Sequence, residues 1–178
     1  DYAEAYNNMG VTLQEQGKPE EAIEAYSKAL AIKPDYAEAY YNMGNALKQQ
    51  GKQEAALEAY NKALAIKPDY AEAYYNMGNA LKDQGKIEEA IEAYNKALAI
   101  KPDNVSAIHQ LGKLYKQLGQ ASKSKRHFEK ALSLGPVDTL GANLELALLG
   151  EKEIPSKTPQ AYMKEFYKKK ANHWGKES

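Results

Sequence analysis

Apolar residues recur along the chain with the period of an α-helix. Within residues 35–68 they form two stripes of helical spacing, one made of Tyr40, Met43, Gly44 and Leu47 and the other of Ala56, Tyr60, Ala63 and Leu64. Gly51 lies between the two stripes, where the end of a helix favours a residue that tolerates a positive φ. The alternation of apolar and polar residues that indicates β-strands is absent from the sequence. The pattern therefore predicts a helix, a turn and a second helix.

This helix–turn–helix pattern repeats. Pro34, Pro68, Pro102 and Pro136 stand 34 residues apart, and residues 35–68 recur as residues 69–102 with four substitutions. A fixed period of this length is typical of arrays in which each unit buries its apolar face against its neighbours. We expect an all-α solenoid, whose long surface favours binding over catalysis. Its predicted parts are four repeats at 1–34, 35–68, 69–102 and 103–136, and a capping helix at 137–150.

Two further features recur within the repeats. A glycine interrupts each predicted first helix, at Gly10, Gly44, Gly78 and Gly112. Glycine costs a helix about 1 kcal/mol relative to alanine, so its recurrence indicates a close helix–helix contact that a side chain would block. Asp35 and Glu38 have the spacing of a capping box, which predicts that Asp35 caps the first helix of the second repeat.

The run Tyr40, Met43, Gly44, Leu47, Ala56, Tyr60, Ala63 and Pro68 resembles the tetratricopeptide repeat signature. The match extends from Ala3 to Pro136, and the fourth repeat departs from it at Ile108 and Ser124. The resemblance implies a right-handed α-solenoid of helix–turn–helix repeats, with capping helices at its C-terminal end. It further implies a concave wall made of the first helices and a role as a scaffold that binds proteins or peptides.

In this family, the residues beside the core stripe of each first helix line the groove. Amide side chains recur there, and an amide can both donate and accept a hydrogen bond. A ladder of amides could therefore pair with the backbone of an extended peptide; the alternative is a solvated polar face. We predict that the peptide-binding groove comprises Asn8, Tyr41, Asn42, Asn45, Lys48, Tyr75, Asn76, Asn79, Lys82, His109, Gln110 and Lys113.

The ladder is similar to one in the repeat domain of eukaryotic O-linked N-acetylglucosamine transferase, where it holds acceptor polypeptides. The similarity covers Asn42, Asn45, Asn76 and Asn79 and does not extend to a glycosyltransferase domain. Another binding mode of the family, the clamp for chaperone C-terminal carboxylates, needs basic groove residues. Asn7 and Glu72 occupy two of those positions, which disfavours it.

Composition narrows the functional classes. The chain has 24 basic and 24 acidic residues, no cysteine and three histidines. Its zero net charge gives no general attraction to nucleic acid or to a membrane surface, and we expect neither as a partner. The histidines have no recognisable catalytic or metal-binding spacing. We therefore expect no enzymatic activity, cofactor or metal. We also expect a cytoplasmic location.

The residues after Gly150 have a different pattern. Residues 151–178 predict a connector followed by an amphipathic helix with an aromatic face, and this face or the repeat ends could mediate self-association. Residues 144–174 also resemble the junction in bacterial proteins where tetratricopeptide repeats precede a methyltransferase domain. Since the chain begins with Asp1 rather than Met, we expect a processed chain or a piece of a longer one. The alternative function is thus the substrate-recognition module of a larger transferase whose catalytic domain is absent here.

Overall fold

A computed structural model describes residues 2–134 and 141–150 of the chain, and within these ranges the regular structure is entirely α-helical. Helices pair along the chain in four units, and a ninth helix follows. They are α1 (Tyr2–Glu15) with α2 (Pro19–Ile32), α3 (Ala37–Gln49) with α4 (Gln53–Ile66), α5 (Ala71–Asp83) with α6 (Ile87–Ile100), α7 (Val105–Gln117) with α8 (Ala121–Leu134), and α9 (Ala142–Leu148). The predicted all-α solenoid is confirmed. The predicted connector and aromatic helix at 151–178 lie outside the described residues.

The turn inside each pair has the predicted glycine geometry. Gly51 adopts a φ of 75°, and its N–H donates to the carbonyl of Lys48 at 2.9 Å. The next N–H, of Lys52, donates to the carbonyl of Leu47 at 3.0 Å. This pair of bonds satisfies carbonyls that the end of a helix leaves without partners. The left-handed conformation explains why glycine stands at this turn.

The predicted capping box is wrong. Helix α3 begins at Ala37, so Tyr36 and not Asp35 occupies the N-cap position, where no side chain caps the helix. Asp35 is one residue too early for its carboxylate to satisfy the first free N–H groups. In the fourth pair, Asn104 does cap α7, because its Oδ1 accepts from the N–H of Ala107 at 3.0 Å.

The glycine in the middle of each first helix packs against an aromatic ring of the second helix. A Cβ atom added to Gly44 would lie 2.6 Å from Cε1 of Tyr60, which is fully buried. The other three pairs are Gly10 with Tyr26, Gly78 with Tyr94, and Gly112 with Phe128. Because carbon atoms need about 3.5–4.0 Å between them, a side chain here would push the ring away. The predicted close contact is confirmed.

Helix α9 packs against the last pair. Ala142 and Leu146 form a buried cluster with Phe128 of α8, and the Lys116 ammonium of α7 donates to the Glu145 carboxylate at 2.7 Å. The apolar surface of the fourth pair is thereby covered by a helix that does not belong to a further described pair.

Candidate functional site

An open cleft of ≈ 330 Å³ is lined by three successive first helices. Its lining residues are Gln14 from α1, Asn45, Lys48 and Gln49 from α3, and Asn76 from α5. Three of the twelve predicted groove residues, Asn45, Lys48 and Asn76, are thus brought together. The cleft crosses from one repeat to the next, so an occupant would contact more than one repeat.

Asn76 is the best-connected side chain of this cleft. Its Nδ2 donates to Oη of Tyr41 at 3.0 Å and to Oδ1 of Asn45 at 2.9 Å. These two bonds use both protons of the amide nitrogen. In the described part of the chain, Oδ1 of Asn76 accepts no hydrogen bond, and the Tyr41 hydroxyl, which accepts from Asn76, donates none. An unused acceptor and an unused donor therefore stand side by side.

Asn42 forms the equivalent link between the first two repeats. Its Nδ2 donates to Oδ1 of Asn7 at 3.0 Å, and Asn7 is only 1% exposed. Since Asn7 is buried, this bond ties α1 to α3 and leaves the carbonyl of Asn42 without a partner among the described residues.

Asn45 and Asn79 have a second role, which their spacing along the helix does not predict. The hydroxyl of Tyr60 donates to Oδ1 of Asn45 at 2.8 Å, and the hydroxyl of Tyr94 donates to Oδ1 of Asn79 at 2.7 Å. Burial raises the pKa of both tyrosines, because it disfavours the charged phenolate. These two amides, both predicted as groove residues, are therefore acceptors for buried hydroxyls.

The differences among the repeats contain the signal for this role. Val11 and Lys113 replace the asparagine in the first and fourth repeats. In the first, the hydroxyl of Tyr26 donates instead to Oε1 of Gln14 at 3.0 Å. In the fourth, Phe128 replaces the tyrosine, and no hydroxyl needs an acceptor. The asparagine thus occurs where the tyrosine lacks another acceptor.

Tyr41 and Tyr75 are half-buried aromatic residues of this wall. The Tyr41 ring lies 4.8 Å from the ring of Tyr70, and the Tyr75 ring lies 5.7 Å from that of Tyr94. Each of these rings packs against another aromatic ring of the protein, which restricts its orientation before any ligand binds.

Two of the predicted groove lysines share one carboxylate. The ammonium groups of Lys48 and Lys82 each lie 3.9 Å from a carboxylate oxygen of Asp83. Lys82 also lies 3.5 Å from Oε1 of Gln110, on α7. The three charged side chains are about a third exposed or more, so these contacts contribute little to stability. They do link α3, α5 and α7 across the wall.

The remaining predicted residues are distributed differently. His109 is only 7% exposed, and its ring lies 5.3 Å from that of Phe128. His109 therefore packs inside the protein and offers a ligand little surface. Asn8 and Lys113 are exposed and do not line the cleft.

Neither a metal cluster nor a membrane-spanning helix occurs in the described part of the chain. Within residues 2–134 and 141–150, no three His, Asp or Glu side chains are grouped so that they could hold a metal ion. Over the same residues, every helix is too short or too polar to cross a lipid bilayer.

Comparison with known proteins identifies the repeats. The family model described as TPR repeat matches residues 14–51, 44–85 and 78–119, and the one described as Tetratricopeptide repeat matches residues 105–138. The comparison with curated protein sequences returns no match.

Solved structures give the same fold. A crystal structure of MamA is 34% identical over 74% of this chain and 77% of its own, with a TM-score of 0.72. Pseudomonas aeruginosa PilF is 29% identical over 83% of this chain and 67% of its own, with a TM-score of 0.75. The first TPR of Spaghetti (RPAP3), solved with the HSP90 peptide SRMEEVD, is 30% identical over 66% of this chain and 96% of its own, with a TM-score of 0.64.

Proposed function

The chain belongs to the tetratricopeptide repeat family, and we propose that it is a scaffold that binds an extended segment of another protein along its first helices. The observation that carries this proposal is the pair of unused groups at the cleft, the hydroxyl of Tyr41 and Oδ1 of Asn76. The Tyr41 hydroxyl already accepts from Asn76, and both amide protons of Asn76 are already bonded, so the hydroxyl proton and Oδ1 are the groups left for a ligand.

The chemistry of the pair suits a peptide backbone. The Tyr41 hydroxyl can donate to a peptide carbonyl, while Oδ1 of Asn76 can accept from a peptide N–H. An extended peptide offers both groups along its edge, because its backbone bonds are not used internally. The two side chains are held in place by the bond of 3.0 Å that Nδ2 of Asn76 donates to the Tyr41 hydroxyl oxygen. Recognition in this mode reads the backbone and tolerates many side chains.

Hydrogen bonds within the protein change which groups of the predicted amide ladder are left for a ligand. Asn76 spends both amide protons on the protein itself, so it meets a ligand as an acceptor only. The donor comes from Tyr41 instead. Asn42 likewise presents its carbonyl, with one bond of its amide fixed on Asn7. One relative, the first TPR of Spaghetti, is solved with a peptide, which supports a peptide as the ligand here.

The test is binding to a panel of unstructured fluorescent peptides, measured by anisotropy. Tyr41→Phe removes the donor and keeps the ring, although it also removes one of the two acceptors of the Asn76 amide. We expect it to weaken binding about fivefold to tenfold, the value of one hydrogen bond. Tyr60→Phe is the matched control, because it removes a buried hydroxyl behind the wall and leaves Tyr41 and Asn76 in place. Equal losses in the two variants, or no loss in Tyr41→Phe, would contradict the proposal.

A further inference from the structure

The zero net charge of the chain conceals a strong asymmetry. Residues 1–103 hold 17 acidic and 11 basic side chains, and residues 104–178 hold 7 acidic and 13 basic ones. The two parts therefore have net charges of −6 and +6. Within the described residues, the change of sign is clearest on the exposed second helices, since α8 holds four basic residues and one acidic residue while α2 holds one basic residue and three acidic ones.

Helix α8 carries a basic face made of Lys123, Arg126, His127 and Lys130. These residues follow the i, i+3, i+4, i+7 spacing and line a depression of ≈ 290 Å³. The same positions of α2 hold Glu21, Glu24, Ala25 and Lys28. The fourth repeat has thus replaced two carboxylates by cations and an alanine by an imidazole.

This replacement puts Arg126 at the position of the carboxylate that pairs with the equivalent of Lys130 in the two middle repeats. In α4 and α6 the lysine equivalent to Lys130 is paired with a carboxylate. Lys62 lies 2.8 Å from Glu58, and Lys96 lies 2.8 Å from Glu92. Lys123, Arg126 and Lys130 have no carboxylate within 4.0 Å in the described part of the chain. Lys123 instead lies over the ring of Tyr115, 5.2 Å from its centre.

The basic face is unfavourable for the helix that carries it. Like charges three or four residues apart repel each other by a few tenths of a kcal/mol. Lys123 also stands in the first turn of α8, where the helix dipole favours the acidic residues present in α2, α4 and α6. Residues that disfavour their own helix in this way are characteristic of a functional surface.

The complementary surface lies at the other end of the same chain. Helix α2 exposes Glu20, Glu21 and Glu24 within two turns. Of these, Glu21 has a 3.9 Å contact with Lys18, and Lys28 lies over the Tyr6 ring, 5.8 Å from its centre, and not beside Glu24. The acidic face of α2 is therefore the least neutralised counterpart of the basic face of α8.

We propose that the basic face of α8 binds the acidic face of α2 in a second copy of this chain. Because the contact joins two different faces, it is heterologous and arranges copies head to tail, either in a closed ring or in an open row. The contact leaves the first helices uncovered, so assembly would place several copies of the groove side by side. It also differs from association through the repeat ends or the aromatic tail, which would bury apolar surface and respond weakly to salt.

The test is sedimentation of the full chain from about 10 µM to about 1 mM, a range suited to a small charged contact. We expect association at 20 mM NaCl that weakens about tenfold or more at 300 mM, because salt screens exposed charges. A strict monomer throughout this range at low salt would overturn the proposal.

Two charge-reversal variants identify the faces. Lys123→Glu with Arg126→Glu gives α8 the charges of α2 and α6, so it should fold at least as well as the original. Glu21→Lys with Glu24→Lys reverses α2. We expect each variant alone to be monomeric. We expect their equimolar mixture to associate, because the acidic α2 and α8 faces of the first variant are both complementary to the basic α8 and α2 faces of the second. Self-association that persists in either variant, or a mixture that stays monomeric, would show that other surfaces mediate assembly.

Discussion

The role of Asn45 as a partner of Tyr60 makes a quantitative prediction. The Tyr60 side chain is fully buried, and its hydroxyl donates to Oδ1 of Asn45 at 2.8 Å. In Tyr60→Phe this bond is lost, but Asn45 still accepts from Asn76 at 2.9 Å. We therefore expect a loss of about 1 kcal/mol in the free energy of unfolding, the net value of one hydrogen bond.

The reverse change should be more costly. In Asn45→Ala the buried Tyr60 hydroxyl keeps its proton but has no acceptor, and a buried group left in this state costs about 1–3 kcal/mol. In the double variant the hydroxyl is absent, so Asn45→Ala should cost about 1 kcal/mol less than in the original chain. That difference is the coupling energy of the pair.

Urea denaturation followed by far-UV circular dichroism measures all four proteins of this cycle. The pair Tyr94 and Asn79 has the same geometry, with a bond of 2.7 Å, and should give the same coupling. The equivalent pair of the fourth repeat, Lys113 and Phe128, is the control. It has no hydroxyl at this point, so the same cycle should give no hydrogen-bond coupling. A coupling below about 0.3 kcal/mol, the usual error of additivity, would refute the assignment of Asn45 as a buried hydrogen-bond acceptor.

Three other predictions concern stability. Gly78→Ala places a Cβ 2.7 Å from Cε1 of Tyr94, and in urea denaturation we expect a net loss of about 1–2 kcal/mol, since overpacking outweighs the gain in helix propensity; an unchanged or higher stability would contradict the close contact. Burial, with a smaller effect of Glu15, raises the pKa of Tyr26 from 10.0 to about 12. The contribution of Tyr26 to stability is therefore complete below pH 10 and is lost as the pH rises from 10 to 12. Absorbance at 295 nm should show a group of tyrosines that ionise only as the helices melt, and a single titration near pH 10 with the helices intact would contradict buried hydroxyls. Lys116→Ala removes the 2.7 Å bond to Glu145, and hydrogen exchange should become faster in α9 while the rate in α1 stays the same; equal exchange of α9 in both proteins would show that its apolar contacts alone hold it.

Much of the fold is predictable because the same helix–turn–helix pattern occurs four times in the sequence. The apolar stripe of α3 predicts its packed face only in part, because Gly44 is buried while Tyr40 and Leu47 are half-buried, and Ala39 and Ala46 are the other buried residues. Gly51 determines where the helix ends. The exact start of the helix was not predictable from spacing alone. Asp35 and Glu38 match a capping box, but the backbone enters the helix one residue later, at Ala37.

The candidate site was predictable by residue type and not by bonding. Spacing placed Asn76 on the groove side of its helix, and the structure puts it in the cleft. Which protons it has left depends on Tyr41 and Asn45, which lie on a different helix. His109 has the spacing of a groove residue too, yet its ring packs against Phe128 and is buried. Contacts between helices decide these outcomes, and the pattern along one helix does not contain them.

The most direct test of peptide binding by the first helices is a ¹⁵N NMR titration of the chain with the tightest peptide from the panel. If the peptide binds the first helices, we expect shifts in the side-chain amide signal of Asn76 and in backbone amides of α1, α3 and α5, with little change in α4 and α6. Shifts confined to α4, α6 and α8, with the Asn76 side-chain signal unmoved, would contradict it and place the peptide on the second helices.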